Sequence, residues 1–311
     1  LVINLLPDFF AVLQSAEPDA AYHRYLDAHR PLLDAYWHNY VIEPTGPQFD
    51  EVVRHVVRAD RDDLRAMLAR TDVIALARET LRRCRTLFDM DSDIDVVVMV
   101  GVGAANAGEL VVNGRAAAFV CLEHFTSVVN PSTRSLGLDP ELIPMWLAHE
   151  LAHGVRYTSP DSRSELRDIV AASGGYYSYW EAGQRATLRE HLVNEGLAVH
   201  AARQLSPGHA TWEYFGYERR QFTRVRELEH VLIQAVADDL DRAGLGLRLR
   251  YLSGGMSDAA RTVHRHVLPE RSGYYIGARM VEQAVAELGL ARALRASAME
   301  LTTPVSSART A

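Results

Sequence analysis

Apolar positions recur at helical spacing along most of the chain, with one interruption. Residues 18–40 and 48–88 read as helical. In the second stretch Leu64, Met67, Leu68, Ile74, Ala75, Ala77, Leu81 and Leu87 keep close to the 3.6-residue period of a single face. Thr71-Asp72 supplies a cap between two of these helices. The pattern then changes. Residues 95–100 (Asp-Val-Val-Val-Met-Val) form a short, strongly β-prone run. Gly101, Gly103 and Gly108 punctuate a loop. Residues 109–112, Asn113-Gly114 and residues 115–122 read as a hairpin, because Asn-Gly accepts the positive φ values of a type I′ turn. From about residue 139 the helical rhythm returns, over 141–156, 163–173, 183–205, 211–240, 257–267 and 274–297. The tail, residues 302–311, is small and polar and is expected to fray.

Helices, a small sheet, then many helices make an α+β chain. The reading is a mostly helical domain with a small, largely antiparallel sheet. Residues 1–90 form a helical N-terminal portion packed on a core of residues 91–300, with 301–311 as a tail, in a single compact unit.

Composition removes several chemistries. All 33 basic residues are arginine. Without lysine there is no phosphate-loop lysine, no Schiff-base lysine and no ATP-anchoring kinase lysine. A net charge of -7 opposes nucleic-acid binding, which needs a basic face. Two cysteines, Cys84 and Cys121, are too few for a disulfide framework and fit a reducing compartment. No apolar run of about 18 residues is present, so no membrane span is expected. The apolar start lacks a basic region and a cleavage site, so a cytoplasmic location is expected.

Two tempting motifs fail on context. Gly101-Val102-Gly103 follows a strand, but another strand follows it where a dinucleotide site needs a helix. Asp89, Asp91, Asp93 and Asp95 alternate like a calcium loop, but Ile94 stands where the turn needs glycine and Val100 where a glutamate is needed.

His149-Glu150-Leu151-Ala152-His153 carries the chemistry. A spacing of four places both imidazoles on one helix face, where they reach one metal ion. Glu150 lies beside that metal without ligating it, placed to take a proton from an activated water and pass it to a leaving amine. A catalytic zinc needs a third protein ligand. Glu195, in Asn194-Glu195-Gly196-Leu197-Ala198, is the natural one; His191 and His200 are rivals. Gly196 is costly inside a helix, which implies a close approach. The small residues Gly196, Ala198, Ala201 and Ala202 are expected to pack this helix on the His-Glu helix.

Together these motifs resemble the gluzincin branch of the zincin metallopeptidases. Within it they are most similar to a family of predicted zinc-dependent bacterial proteases. The likeness spans roughly residues 95–290 and takes in Gly273-Tyr274-Tyr275-Ile276-Gly277 as a Gly-Tyr-x-x-Gly element. The resemblance implies a zincin-like core, a Zn2+ cofactor, a peptide or protein substrate and hydrolysis by metal-activated water. It implies His149, His153 and Glu195 as ligands and Glu150 as general base and acid. Strand 115–122 would pair with the substrate backbone. Tyr274 would steady the oxyanion, with Tyr275, His264 and His266 as alternatives. Arg279 is either a group that binds a substrate carboxylate or a surface arginine. The same ligands would also serve a catalytically silent zinc-containing protein that binds a peptide or partner, or a zinc hydrolase of a non-peptide bond.

Overall fold

The computed structural model describes residues 1–302. It opens with a short strand, β1 (Val2–Asn4), and a helix, α1 (Leu6–Gln14), that the periodicity did not announce. The helix read over 18–40 is two, α2 (Pro18–Ala28) and α3 (Leu32–Tyr40), separated at Pro31. Proline there has no N–H to donate and disfavours a helical residue before it. The stretch 48–88 is three helices, α4 (Phe49–Arg58), α5 (Asp62–Leu68) and α6 (Val73–Leu87). The cap read at Thr71-Asp72 is present, since Asp72 Oδ1 accepts from the Ala75 N–H at 2.9 Å.

The sheet follows as β2 (Ile94–Met99), β3 (Ala107–Val112) and β4 (Arg115–Cys121). Its strand order is β1-β2-β4-β3. It is mixed, where the sequence suggested a largely antiparallel sheet. β1 with β2 and β2 with β4 are parallel, and only the β3–β4 hairpin within it is antiparallel. The helical run from α1 to α6 supplies the long crossover that a parallel pair needs. At the hairpin, Asn113 and Gly114 take φ of 52° and 74°, as the turn reading required. Gly108 lies inside β3 rather than in the loop. A side chain there would collide with the Phe119 and Tyr40 rings.

The remaining elements are α7 (Ile143–Thr158), α8 (Glu165–Ala172), α9 (Tyr179–Arg185), α10 (Leu188–Leu205), α11 (Arg219–Glu227), α12 (Glu229–Ala237), α13 (Leu245–Leu252), the hairpin β5 (Thr262–Val263) with β6 (His266–Val267), α14 (Ser272–Leu288), α15 (Leu290–Ala293) and α16 (Ala298–Thr302). The helix read over 183–205 is therefore split between α9 and α10, and that over 211–240 between a short turn, α11 and α12. Residues 257–267 correct the reading outright: they end in an exposed hairpin, not a helix. His264 and Arg265 hold φ of 47° and 66°, which no helix accommodates. Helix α13 was missed because Gly244 and Gly246 mask its start. Within the tail, Thr302 ends α16, and residues 303–311 lie outside the described residues.

Two layers place the site. Helix α7 lies against the sheet, with Gly154 beside Ile94 and Ala116. From the interior strand β4, Phe119 packs edge-on against Tyr36 and Tyr40 of α3, with centroids 5.3 and 4.9 Å apart. One continuous hydrophobic core joins the N-terminal helices to the rest. No helix of the described residues is long and apolar enough to cross a membrane.

Candidate metal centre

The His-Glu motif sits on α7. A 3-10 turn over Pro140–Leu142 leads into the helix, and Pro144 occupies its first turn, where a missing N–H costs nothing. Nearly every residue from Ile143 to Tyr157 is buried, so the motif sits on a core helix. One turn apart, His149 and His153 have ring centroids 4.9 Å from each other.

Helix α10 brings Glu195 to them. Glu195 Oε2 is 3.2 Å from His149 Nε2 and 3.6 Å from His153 Nε2. Ligand bonds of about 2.0–2.2 Å around a tetrahedral ion separate neighbouring ligand atoms by about 3.3–3.6 Å. Both Glu195–imidazole distances fall in or next to that range, one ligand atom from each of the three residues lies within 4.8 Å of the others, and two imidazoles with one carboxylate form a donor set that zinc accepts. All three residues are at most 9% exposed. Gly196 does serve a close approach, but to α14 rather than to α7. A Cβ at Gly196 would lie 2.7 Å from the Ala278 nitrogen and closer still to the Gly277 carbonyl.

Charge is already polarised for a cation. Burial would raise the Glu195 carboxyl, but His153 and His149 override it and hold it well below the carboxylate range. Burial would lower His153, but the Glu195 carboxylate pushes it up to about 9. His149 moves the other way, lowered by burial with Glu195 and His153 acting in opposition. Two imidazoles share one carboxylate, so the extra proton settles on one of them.

Glu150 follows His149 on α7 and is 5% exposed. Burial, then the Glu109 carboxylate, pushes its carboxyl well above the usual range. Glu109 was not singled out from the sequence. It belongs to β3, and its carboxylate, Glu150 and His153 bring ligand atoms within 4.8 Å of one another. Tyr157 Oη donates to Glu109 Oε1 at 3.1 Å, and Asn194 Nδ2 donates to Tyr157 Oη at 3.0 Å. Tyr157 also stacks on His153, centroids 6.0 Å apart. The one available signal was a lone acid in an otherwise apolar strand, Ala-Gly-Glu-Leu-Val-Val.

Among the alternatives for the oxyanion, the structure separates them sharply. The Tyr274 ring stacks on His149, with centroids 6.1 Å apart and planes at 23°. The Arg271 guanidinium lies over the Tyr274 ring, 4.5 Å from its centre. Burial, then the Glu195 charge, pushes the Tyr274 hydroxyl well above its ordinary value. Tyr275 instead turns its hydroxyl to Glu229 Oε2 at 3.0 Å. His264 pairs with Asp238 on the exposed hairpin, and His266 is exposed beside it. The rival ligands stay apart from the cluster: His200 Nε2 is 3.0 Å from the Ala278 carbonyl, and His191 is buried against other groups, under the influence of Arg248. Arg279 is a surface residue paired with Glu229 and Glu282. Strand β4 lies between β2 and β3, so it has no free edge for a substrate; β3 is the edge strand.

A family model described as "Predicted Zn-dependent protease (DUF2268)" matches residues 176–303. The matched part contains Glu195 and residues 273–277 and begins after α7. Over that part the chain is similar to a family of predicted zinc proteases. No curated protein and no solved structure matches the chain.

Proposed function

We propose that this chain is a zinc-dependent metallopeptidase of the gluzincin type. The observation that supports the reading is that His149, His153 and Glu195 bring ligand atoms within 4.8 Å of one another, with the Glu150 carboxyl beside His153. The similarity of residues 176–303 to predicted zinc proteases points the same way.

His149, His153 and Glu195 would hold the ion, whose chemistry is to polarise a peptide carbonyl and acidify water. The protein's own groups do the rest. Glu150 takes the proton of the attacking water and delivers it to the leaving amine. The Tyr274 hydroxyl donates to the oxygen that gains charge as the carbonyl is attacked. Asn194 and Tyr157 hold Glu109 and, through ring stacking, the plane of His153. The test is metal analysis with a peptide-hydrolysis assay. About one zinc per chain is expected, and Glu150→Gln should keep the metal and lose hydrolysis. A protein that takes up no zinc even when supplied with it would end this reading.

A further inference from the structure

A metal-binding imidazole is ordinarily oriented by a hydrogen bond at the ring nitrogen that does not face the ion. His153 turns Nε2 to Glu195, and its Nδ1 is buried with no hydrogen-bond partner among the described residues. Ring contacts hold its plane instead. Tyr157 stacks on His153 with planes at 14°, and Tyr177 stacks on Tyr157 with centroids 4.8 Å apart and planes at 23°. Three rings thus form a near-parallel column that starts at the metal site. The Tyr157 hydroxyl lies on the axis about which its own ring turns. Its bonds to Glu109 and Asn194 therefore fix where the ring ends but not which way it faces. The neighbouring rings fix that.

The column ends on a cation. Tyr177 lies between α8 and α9. Its N–H donates to the Val111 carbonyl of β3 at 3.0 Å, and its own carbonyl accepts from Asn39 Nδ2 of α3 at 3.1 Å. At the far end of its side chain, Arg248 Nη2 donates to Tyr177 Oη at 2.9 Å. Arg248 belongs to α13 and is 6% exposed. Its Nη1 donates to the Tyr179 carbonyl at 2.7 Å, and its guanidinium lies 3.6 Å from the centre of the Tyr179 ring. Among the described residues Arg248 makes no ion pair. A buried guanidinium without a carboxylate is costly, and an apolar side chain would fill the same space without that cost. What the charge adds is a strong, directed hydrogen bond that keeps the Tyr177 ring against Tyr157.

Resting on the metallopeptidase reading, we propose that Arg248 is a positioning residue for the metal centre: through Tyr177 and Tyr157 it sets the plane of the His153 imidazole. The column takes the place of the missing hydrogen bond at Nδ1.

The experiment uses the full-length protein, with zinc or cobalt(II) as the probe. Arg248→Met, Arg248→Lys and Tyr177→Phe are compared with the parent by zinc titration, by the visible absorption of bound cobalt and by urea unfolding of the metal-free protein. Loss of a group that orients a ligand costs about 10–100-fold in metal affinity. Arg248→Met should weaken zinc binding by at least about tenfold, at the low end of that scale. It should also alter the cobalt absorption, which reports ligand geometry. Arg248→Lys, which keeps a charged donor, should restore part of both. If Arg248→Met does not fold, Tyr177→Phe, which keeps the ring and removes only the acceptor, should change both readouts in the same direction. Parental zinc affinity and cobalt absorption in folded Arg248→Met, or in Tyr177→Phe if that variant does not fold, would overturn the inference. That result would hold whatever the unfolding midpoint does, and it would leave the metallopeptidase reading intact. A parent protein that binds neither metal would overturn that reading, and this proposal with it.

Discussion

Gly196 and Gly277 meet backbone to backbone where α10 crosses α14. A Cβ on Gly277 would lie 2.8 Å from the Leu192 carbonyl carbon, and closer to its oxygen; one on Gly196 would strike Gly277. The contact sets two chemical groups at once. Glu195 precedes Gly196 on α10, and Tyr274 lies three residues before Gly277 on α14. The zinc ligand and the stacked tyrosine are therefore held at a fixed separation by the absence of two side chains.

Gly277→Ala should accordingly push the helices apart. Overpacking of this kind costs about 1–3 kcal/mol. The gain in intrinsic helix propensity, about 1 kcal/mol, does not offset an overlap with backbone atoms that cannot rotate away. Chemical denaturation should show the loss of stability, and zinc affinity should fall with it. An unchanged unfolding midpoint and unchanged zinc affinity would show that the helix crossing does not set the site.

A second prediction concerns Arg156 and Glu190, which join α7 to α10 as a buried ion pair. Arg156 Nη1 also donates to the carbonyls of Leu294 and Ala296 at 3.3 and 3.2 Å, and Ser164 Oγ donates to Glu190 Oε1 at 2.7 Å. Arg156→Met strands a carboxylate with no access to water. The expected cost is about 3–5 kcal/mol. Replacing both residues with methionine should destabilise less than the sum of the single changes, which a double-mutant cycle in urea measures. Additive losses would show that the two charges stabilise the protein independently.

How far the sequence carried depended on the range of the interaction. His149, Glu150 and His153 were legible because four-residue spacing on a helix is itself a geometry. Gly196 announced a close approach by its helical cost, but its partner, Gly277 on α14, lies 81 positions away and left no mark on local pattern. The Asn-Gly turn was readable, since positive φ is a property of those residues. Glu109 was not, because its approach to Glu150 depends on the β3–β4 register and on Tyr40 and Tyr157 from two other helices. The same limit explains the strand assignment. Residues 115–122 looked like a strand, and only the parallel β2 on its other side, with β1 beyond, shows that it is interior. Residues 257–267 were misread because short polar hairpins carry no apolar stripe that excludes a helix.

Tyr274→Phe separates the ring from the hydroxyl. The phenyl ring keeps its stacking on His149 and its place beneath Arg271, so the fold and zinc content should be unchanged. The lost donor should lower kcat by about 10²–10³, as removal of one oxyanion donor does, with little change in KM. A variant with normal kcat would assign the oxyanion to another group.

Zinc uptake should be coupled to protons in a definite direction. In the metal-free protein the His153 pKa is raised from its ordinary value of 6.5 to about 9 by the Glu195 carboxylate, against the opposing effect of burial. A raised pKa means that the protonated imidazole stabilises the metal-free fold below about pH 6.5. That stabilisation is lost as the pH climbs through about 9. Zinc binds only the neutral ring. His149 is lowered by burial, so it is already neutral at pH 7 and loses no proton when zinc binds. Between these limits, zinc binding should expel about one proton from the histidine pair, and apparent affinity should rise by about tenfold per pH unit before levelling near pH 9. Calorimetry of zinc binding to the Glu150→Gln variant, in buffers of different ionisation enthalpy, counts that proton without a contribution from Glu150. Release of no proton at pH 7 would mean that His153 is neutral before the metal arrives. The ion pair with Glu195 would then contribute nothing to the metal-free site.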